Sequence, residues 1–129
     1  MSKNAKVSLG IDLGGTKIAA GLCQNGEILK KVIFPTQAGA GFDGVIGVIV
    51  EACRHVTAGF DSDKISGLGI GSAGQINGKT GEVIYSPNLN WRNAPLGAAL
   101  KRELGYEVRV LNDVRAATMA EHKYGNGKG

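Results

Sequence analysis

The sequence predicts an α/β fold in which an antiparallel β-β-β start leads into a mixed five-stranded sheet with flanking helices. Three observations favour this class. Apolar runs joined by tight turns open the chain, at 7–12, 16–23 and 27–34. A segment with helical periodicity follows at 42–56. Beyond it, strand-like and helix-like segments alternate, which is typical of parallel strands joined by crossover helices.

The composition is that of a single soluble domain. The 129 residues include 21 glycines and carry a formal net charge of +4, with the cations dispersed along the chain. Because neither a basic stripe nor a nucleic-acid reader motif accompanies this charge, we expect no nucleic-acid partner. No stretch reaches membrane-spanning length and no signal-peptide core precedes the first strand, so we expect a cytoplasmic protein with no membrane partner.

Turn-forming residues separate the opening strands. Gly14-Gly15 follow the first apolar run, and Asn25-Gly26, a strong hairpin signal, stands between the second and the third. Pro35 closes the third strand. These residues predict a three-stranded antiparallel meander.

A recurrence of apolar residues three and four positions apart predicts an amphipathic helix over 42–56. Its buried face consists of Val45, Val48, Ile49, Ala52, Cys53 and Val56. Cys53 and Cys23 lie in apolar stretches without metal-ligand spacing, so both are interpreted as small buried hydrophobic residues.

The second half of the chain supplies the parallel part of the sheet. Small and β-branched residues predict a fourth strand at 65–74, followed by a hairpin or extended excursion at 77–88. The apolar run at 108–113 predicts the fifth strand.

Two helices are predicted in this half. In the first, Asn93 caps a helix with Pro95 in its first turn and Gly105 at its end. The second occupies 114–125.

The segment GIGSAG (69–74) matches the dinucleotide-binding pattern G-x-G-x-x-G, but its context does not. That pattern requires a helix directly after the glycines and an acidic residue about 20 positions further on. Here QINGKTG follows, which cannot begin a helix. We interpret the glycines as a strand end that passes close to another backbone or to a ligand.

The segment DLGGTK (12–17) has a more informative arrangement of residues. Asp12 ends a strand, two glycines form a turn, and Thr16 and Lys17 enter the next strand. Such a turn can point successive amides at an anion, and the carboxylate can hold Mg²⁺ directly or through water. An ordinary hairpin with a surface aspartate is the alternative, and the residues alone leave both open.

The segment LNDVRAATMAE (111–121) places Asn112 and Asp113 between a strand and a helix. Either residue is a good helix cap. Ligands also gather outside the carboxyl ends of strands in open α/β sheets. Both interpretations are compatible with the residues, and one side chain can serve both roles.

Three segments in this order and spacing resemble the N-terminal lobe of the glucokinase-like ROK sugar kinases. They are GIDLGGTKIAAGL (10–22), GIGSAGQINGKTGEVIYSPNLNW (69–91) and LNDVRAATMAEHKYG (111–125). The resemblance implies a ribonuclease-H-like lobe of the actin-like ATPase class, spanning 1–129. It also implies an ATP-dependent transferase of carbohydrate metabolism, which moves the γ-phosphoryl group to a sugar hydroxyl.

The resemblance assigns one set of residues to ATP and Mg²⁺. That set is Asp12, Gly14, Gly15, Thr16 and Lys17, with Asp12 as the metal-binding carboxylate.

A second set is assigned by the resemblance to the hexose or hexosamine. Asn112 and Asp113 are implied to bind the sugar, with Asp113 as general base. The remaining members of this set are Ser72, Ala73, Gly74 and Asn88.

The chain departs from the family pattern in lacking the second lobe, which carries the adenine site and a zinc-binding His/Cys cluster. The spacing of Cys23, Cys53, His55 and His122 does not match that cluster, so we expect no zinc site in this chain. We expect an incomplete enzyme, inactive alone, that acts with a C-terminal lobe or as a homo-oligomer. The sugar accepted is not determined by this half.

Other functions remain open at the level of sequence. One is a sugar- or nucleotide-binding module without chemistry. Another is a sugar-responsive ROK regulator without its DNA-binding domain. A third is an actin-like ATPase that acts on a different substrate.

Overall fold

The computed structural model describes residues 6–111, which form eight strands and two helices. The strands are β1 (Val7–Leu13), β2 (Lys17–Gln24), β3 (Glu27–Pro35), β4 (Ile65–Ser72), β5 (Gln75–Asn77), β6 (Glu82–Ser86), β7 (Trp91–Ala94) and β8 (Val108–Leu111). The helices are α1 (Gly41–Thr57) and α2 (Leu96–Leu104). Short 3-10 turns at Ala38–Ala40 and Ser62–Lys64 precede α1 and β4.

The main sheet has five strands in the order β3-β2-β1-β4-β8. The first three pair antiparallel, whereas β4 lies parallel to both β1 and β8. The predicted mixed sheet with an antiparallel start is therefore confirmed. Its five strands are the five that the sequence predicts.

The turn between β2 and β3 has the predicted hairpin geometry. Asn25 and Gly26 both have positive φ, at 53° and 82°. Two consecutive left-handed residues match the right-handed twist of the flanking strands. This turn fixes the β2–β3 register, in which Ala19 faces Ile33.

The hydrophobic core lies between one face of the main sheet and the two helices. Alternate residues of β1, such as Leu9 and Ile11, are buried there, as are Val45, Ile49 and Val56 of α1. Of the predicted apolar face of α1, only Val48 is half-buried rather than buried, and Ile46 and Val50 are buried in addition. Within residues 6–111, no helix is both long and apolar enough to cross a membrane.

Both cysteines are buried, as predicted, with Cys23 3% and Cys53 1% exposed. Burial raises the pKa of the Cys53 thiol to about 12, because a thiolate would lose its hydration in the apolar core. Cys53 therefore behaves as a small hydrophobic residue at neutral pH.

A second, three-stranded sheet in the order β5-β6-β7 follows β4. The β5–β6 hairpin confirms the predicted excursion, but β7 was not predicted. Asn93, predicted to cap α2, instead lies in β7 with a left-handed φ of 49°. Pro95 occupies the cap position rather than the first turn, without a side-chain cap hydrogen bond. The helix cap prediction was wrong because pairing with β6 extends the chain through Asn93 and Ala94.

The far end of α2 agrees with the prediction. Gly105 has a φ of 83°, and its amide donates to the Lys101 carbonyl at 2.8 Å, which ends the helix. The helix predicted at 114–125 lies outside the described residues.

A close contact between two glycines holds the small sheet against α2. The Gly97 amide donates to the Gly81 carbonyl at 2.9 Å. An ideal Cβ built on Gly81 would lie only 3.1 Å from the Gly97 Cα. Glycine at both positions therefore allows the hairpin turn to approach the first turn of the helix.

Candidate functional site

The carboxyl ends of the parallel strands bring the predicted site residues to one edge of the sheet. Asp12 in β1 is paired with Ala19 on one side and with Gly71 of β4 on the other. Because both neighbours are small, they leave space around the half-buried Asp12 carboxylate. Gly71 is in turn paired with Leu111 of β8, so Asp12, Gly71 and Leu111 lie side by side across three strands.

The position of Leu111 shows where the described chain ends, directly before Asn112 and Asp113. Leu111 lies about 10 Å from Asp12, since two strand spacings of about 4.8 Å separate them. Asn112 follows Leu111 directly in the sequence. Both Asn112 and Asp113 lie outside the described residues.

The residues between β1 and β2 form a tight turn, here called the GGT turn (residues 14–16). Its ends are joined by the Gly14 amide, which donates to the Lys17 carbonyl at 3.0 Å. Neither glycine has positive φ. Glycine at position 14 is favoured by the lack of space for a side chain and not by the backbone conformation, because an ideal Cβ there would lie 3.0 Å from the Lys17 carbonyl oxygen. Thr16 and Lys17 are exposed, so their side chains can reach a ligand.

Thr36, a residue that the sequence reasoning missed, anchors the GGT turn to the end of β3. Its hydroxyl donates to the Gly14 carbonyl at 2.7 Å, and its amide donates to the Thr16 carbonyl at 2.9 Å. Thr36 is 0% exposed. A threonine directly after Pro35 gives no local signal of this role, because its partners lie about twenty positions earlier in the chain.

A second turn, here called the SAG turn (residues 72–74), joins β4 to β5. The buried Ser72 hydroxyl donates to the Ala73 carbonyl at 3.3 Å, whereas Ala73 and Gly74 are exposed. Gly74 has a φ of 109°, and a Cβ built on it would overlap the Tyr85 carbonyl oxygen. The SAG turn is therefore packed directly against the end of β6.

Asn88 follows the end of β6 and contacts the GGT turn. An ideal Cβ on Gly15 would lie 3.2 Å from the Asn88 Cβ and 3.5 Å from its carbonyl oxygen. The absence of a side chain at position 15 thus permits Asn88 to lie against the turn. The structure brings together the residues assigned from the sequence at 12–17, 72–74 and 88, while the two at 112 and 113 are not described.

A cavity of about 600 Å³ adjoins this group, between the start of α1 and the segment 88–95. Asn88 lines it together with Phe42 and Trp91, whose rings meet edge to face with centroids 5.0 Å apart. Its volume is within the range of small-molecule sites. The aromatic wall was not predicted, because β7 was not predicted.

A second cavity, here called the basic cavity, lies away from these residues. It has a volume of about 620 Å³ and is lined by Lys79, Lys101 and Arg109, among others. Lys101 pairs with the Glu107 carboxylate at 3.2 Å. Of the assigned residues that lie within 6–111, none lines the basic cavity.

The contact between Gly15 and Asn88 leads to a prediction. In Gly15→Ala, the new methyl group should displace Asn88 by a few tenths of an ångström and lower stability by about 1 kcal/mol. The backbone amide resonances of Asn88 and Leu89 should shift in a ¹⁵N–¹H NMR spectrum, and denaturant unfolding should give the free energy.

Gly39→Ala is the matched control, because nothing lies within 4 Å of a Cβ built on Gly39. This variant should leave the Asn88 resonance in place. An unchanged Asn88 resonance in Gly15→Ala would contradict the contact.

Comparisons with known proteins assign the fold and the family. The sequence profile of the ROK family matches residues 8–129. The glucokinase of Streptomyces coelicolor is 36% identical over 124 residues, which cover 95% of this chain and 38% of that protein. The chain thus spans well under half the length of this relative.

Solved structures give the same result. A ROK family glucokinase from Streptomyces griseus, in complex with glucose and AMPPNP, superposes with a TM-score of 0.79 at 35% identity. The match covers 95% of this chain and 38% of that one. A ROK family transcriptional regulator, a homolog of the E. coli MLC protein, gives a TM-score of 0.75 at 25% identity, over 93% of this chain and 31% of that one. The fold is therefore that of the actin-like ATPases.

Proposed function

The chain belongs to the ROK family, and we propose that it supplies one wall of the cleft of an ATP-dependent hexose kinase. One observation carries this proposal. The GGT turn, the SAG turn and Asn88 lie together at the sheet edge where β8 leads into Asn112 and Asp113. The turn that we propose for phosphate and the described groups that we propose for the sugar thus lie side by side, which supports an assignment to phosphoryl transfer.

The nucleotide phosphates are assigned to the GGT turn. Main-chain amides, the Thr16 hydroxyl and the Lys17 ammonium group are donors suited to phosphate oxygens. Both side chains are exposed at the turn and therefore accessible.

Asp12 is the residue proposed to hold Mg²⁺. Within residues 6–111, no group of three or more His, Cys, Asp or Glu side chains could hold a metal ion. A single carboxylate that shares the ion with water and phosphate oxygens is an arrangement that Mg²⁺ commonly adopts. When bound, the ion neutralises charge on the transferring phosphoryl group.

The sugar is assigned to Asn112, Asp113, Ser72–Gly74 and Asn88. The Asp113 carboxylate accepts the proton of the sugar hydroxyl. At the same time, the hydroxyl oxygen forms a bond to the γ-phosphorus of ATP. The bond from that phosphorus to the bridging oxygen breaks, and ADP leaves. Asn112 offers both a donor and an acceptor, which suits a sugar hydroxyl that is also both.

The Gly15–Asn88 contact explains how the two substrates would be aligned. A residue assigned to phosphate and a residue assigned to the sugar lie so close that a Cβ on Gly15 would be 3.2 Å from the Asn88 Cβ. Alignment of this kind supplies a large part of the rate enhancement in phosphoryl transfer.

A second candidate function is suggested by the similarity to the ROK family transcriptional regulator. A sugar-responsive regulator, or a module that only binds a sugar or nucleotide, would use the same edge of the sheet without transferring phosphate. Such a protein would bind its ligand and release no ADP.

The test is ADP release with Mg-ATP and a panel of hexoses and hexosamines. It compares this chain alone with a chimera, in which the chain replaces the matching segment of the S. coelicolor glucokinase. We expect no release from the chain alone and sugar-dependent release from the chimera. Sugar-dependent release of ADP by the pure chain would contradict the proposal that this chain supplies only one wall of the cleft. Sugar binding by a folded chimera without ADP release would favour the binding module.

A further inference from the structure

Thr36 makes two hydrogen bonds that together control the orientation of the GGT turn. One comes from its hydroxyl and the other from its amide, and they reach the carbonyls of Gly14 and Thr16, on either side of Gly15. Both donors belong to one fully buried residue at the end of β3. The two peptide groups of the turn are therefore held from the same side.

The geometry of the peptide bond determines in which direction the amides of these two peptide groups point. Every described peptide bond is trans, so the carbonyl and the amide of one peptide group point in opposite directions. The Gly14 carbonyl shares its peptide group with the Gly15 amide, and the Thr16 carbonyl shares its group with the Lys17 amide. With both carbonyls directed at Thr36, both amides are directed away from it.

We propose that Thr36 is a positioning residue, which presents the Gly15 and Lys17 amides as a preformed pair of donors to a phosphate group. The inference rests on the proposed function, since it assigns the phosphates to this turn. It adds a residue that contacts no phosphate itself. Neither glycine has positive φ, so the glycine backbone alone does not supply an anion nest of the left-handed type.

The hydroxyl, rather than the size of the side chain, is the group that matters. Valine has nearly the same shape as threonine, and its backbone amide can still donate a hydrogen bond to the Thr16 carbonyl. Its side chain, however, cannot donate to the Gly14 carbonyl. Serine loses the methyl group and keeps the donor. Thr36→Val and Thr36→Ser therefore separate positioning of the turn from filling of the core.

The experiment is a ¹⁵N–¹H NMR titration of the 129-residue chain with Mg²⁺ and inorganic tripolyphosphate, in the wild type and both variants. In the wild type, the Gly15 and Lys17 amides should shift on titration. We expect Thr36→Val to weaken tripolyphosphate binding about three- to tenfold, the value of one hydrogen bond. Thr36→Ser should stay within about twofold of the wild type, although it loses packing in the core.

Thermal unfolding of each variant keeps the result interpretable. A folded Thr36→Val chain with wild-type affinity would overturn the proposal. Equal losses in Thr36→Val and Thr36→Ser would also overturn it, because they would show a packing role. Unresponsive Gly15 and Lys17 amides in the wild type would overturn it as well.

The same titration separates this inference from the proposed kinase function. Should the wild-type amides respond and the valine variant lose affinity, the role of Thr36 holds even if the chimera releases no ADP. In that outcome only the kinase assignment fails.

Discussion

Asp113→Asn should lower the kcat of the chimera by about 10²- to 10⁴-fold, the usual contribution of a general base. The amide cannot accept the proton of the sugar hydroxyl at neutral pH, although it can still form hydrogen bonds to the sugar. The KM for the sugar should therefore change far less than kcat. Steady-state ADP release at varied hexose concentration measures both quantities.

Asp63→Asn is the matched control for this substitution. It removes the same charge from an exposed residue in the turn that precedes β4, at the opposite end of that strand from Ser72. Its kcat should equal that of the unsubstituted chimera. Sugar-dependent release that survives unchanged in Asp113→Asn would mean that a different group accepts the proton.

Gly74→Ala should be the most destabilising of the glycine substitutions, with a loss of about 3 kcal/mol in the free energy of unfolding. Two causes combine. A φ of 109° is strained for any residue with a Cβ, and the new methyl group would overlap the Tyr85 carbonyl oxygen. Denaturant unfolding measures the loss. The chain should also bind the hexose more weakly, because the SAG turn must move.

Gly59→Ala separates the two causes. Gly59 has a similar positive φ of 90°, but nothing lies within 4 Å of a Cβ built on it. This control should lose only about 1 kcal/mol, the cost of backbone strain. Equal losses in the two variants would contradict the predicted overlap of the new methyl group with the Tyr85 carbonyl oxygen.

The regular elements could be predicted because their signals are local. The α1 helix shows the three-and-four recurrence of its buried residues, and the Asn25-Gly26 turn contains residues that accept left-handed φ. The mixed sheet followed from the order of these elements. In each case the information lies within a few neighbouring residues.

The small sheet was only half predictable because its third strand depends on pairing. The segment WRNA has no alternation, and its Asn93 matches the residue preference of a helix cap. Pairing of Tyr85 with Arg92 and of Ser86 with Trp91 overrides that preference. The Arg92 guanidinium also stacks over the Tyr85 ring, 4.7 Å from its centroid.

In the candidate site too, local features could be predicted from the sequence, whereas contacts between distant residues could not. The sequence predicted which residues form the GGT turn, but it left open whether the two glycines direct amides at an anion or form an ordinary hairpin turn. The structure adds that Gly14 and Gly15 lie in close approaches to Lys17 and Asn88, which the sequence could not predict. Thr36 and the Asn88 contact were missed, because both join residues far apart in the chain. The roles of Asn112 and Asp113 remain a prediction.

The most informative single measurement is an NMR titration of the chain, first with glucose and then with Mg-ATP. We expect the sugar to shift the amides of the SAG turn and Asn88, and Mg-ATP to shift those of Asp12, the GGT turn and Lys17. Shifts confined to the basic cavity, around Lys79, Lys101 and Arg109, would contradict the proposed site. Absence of any response to either ligand in a folded chain would contradict it equally.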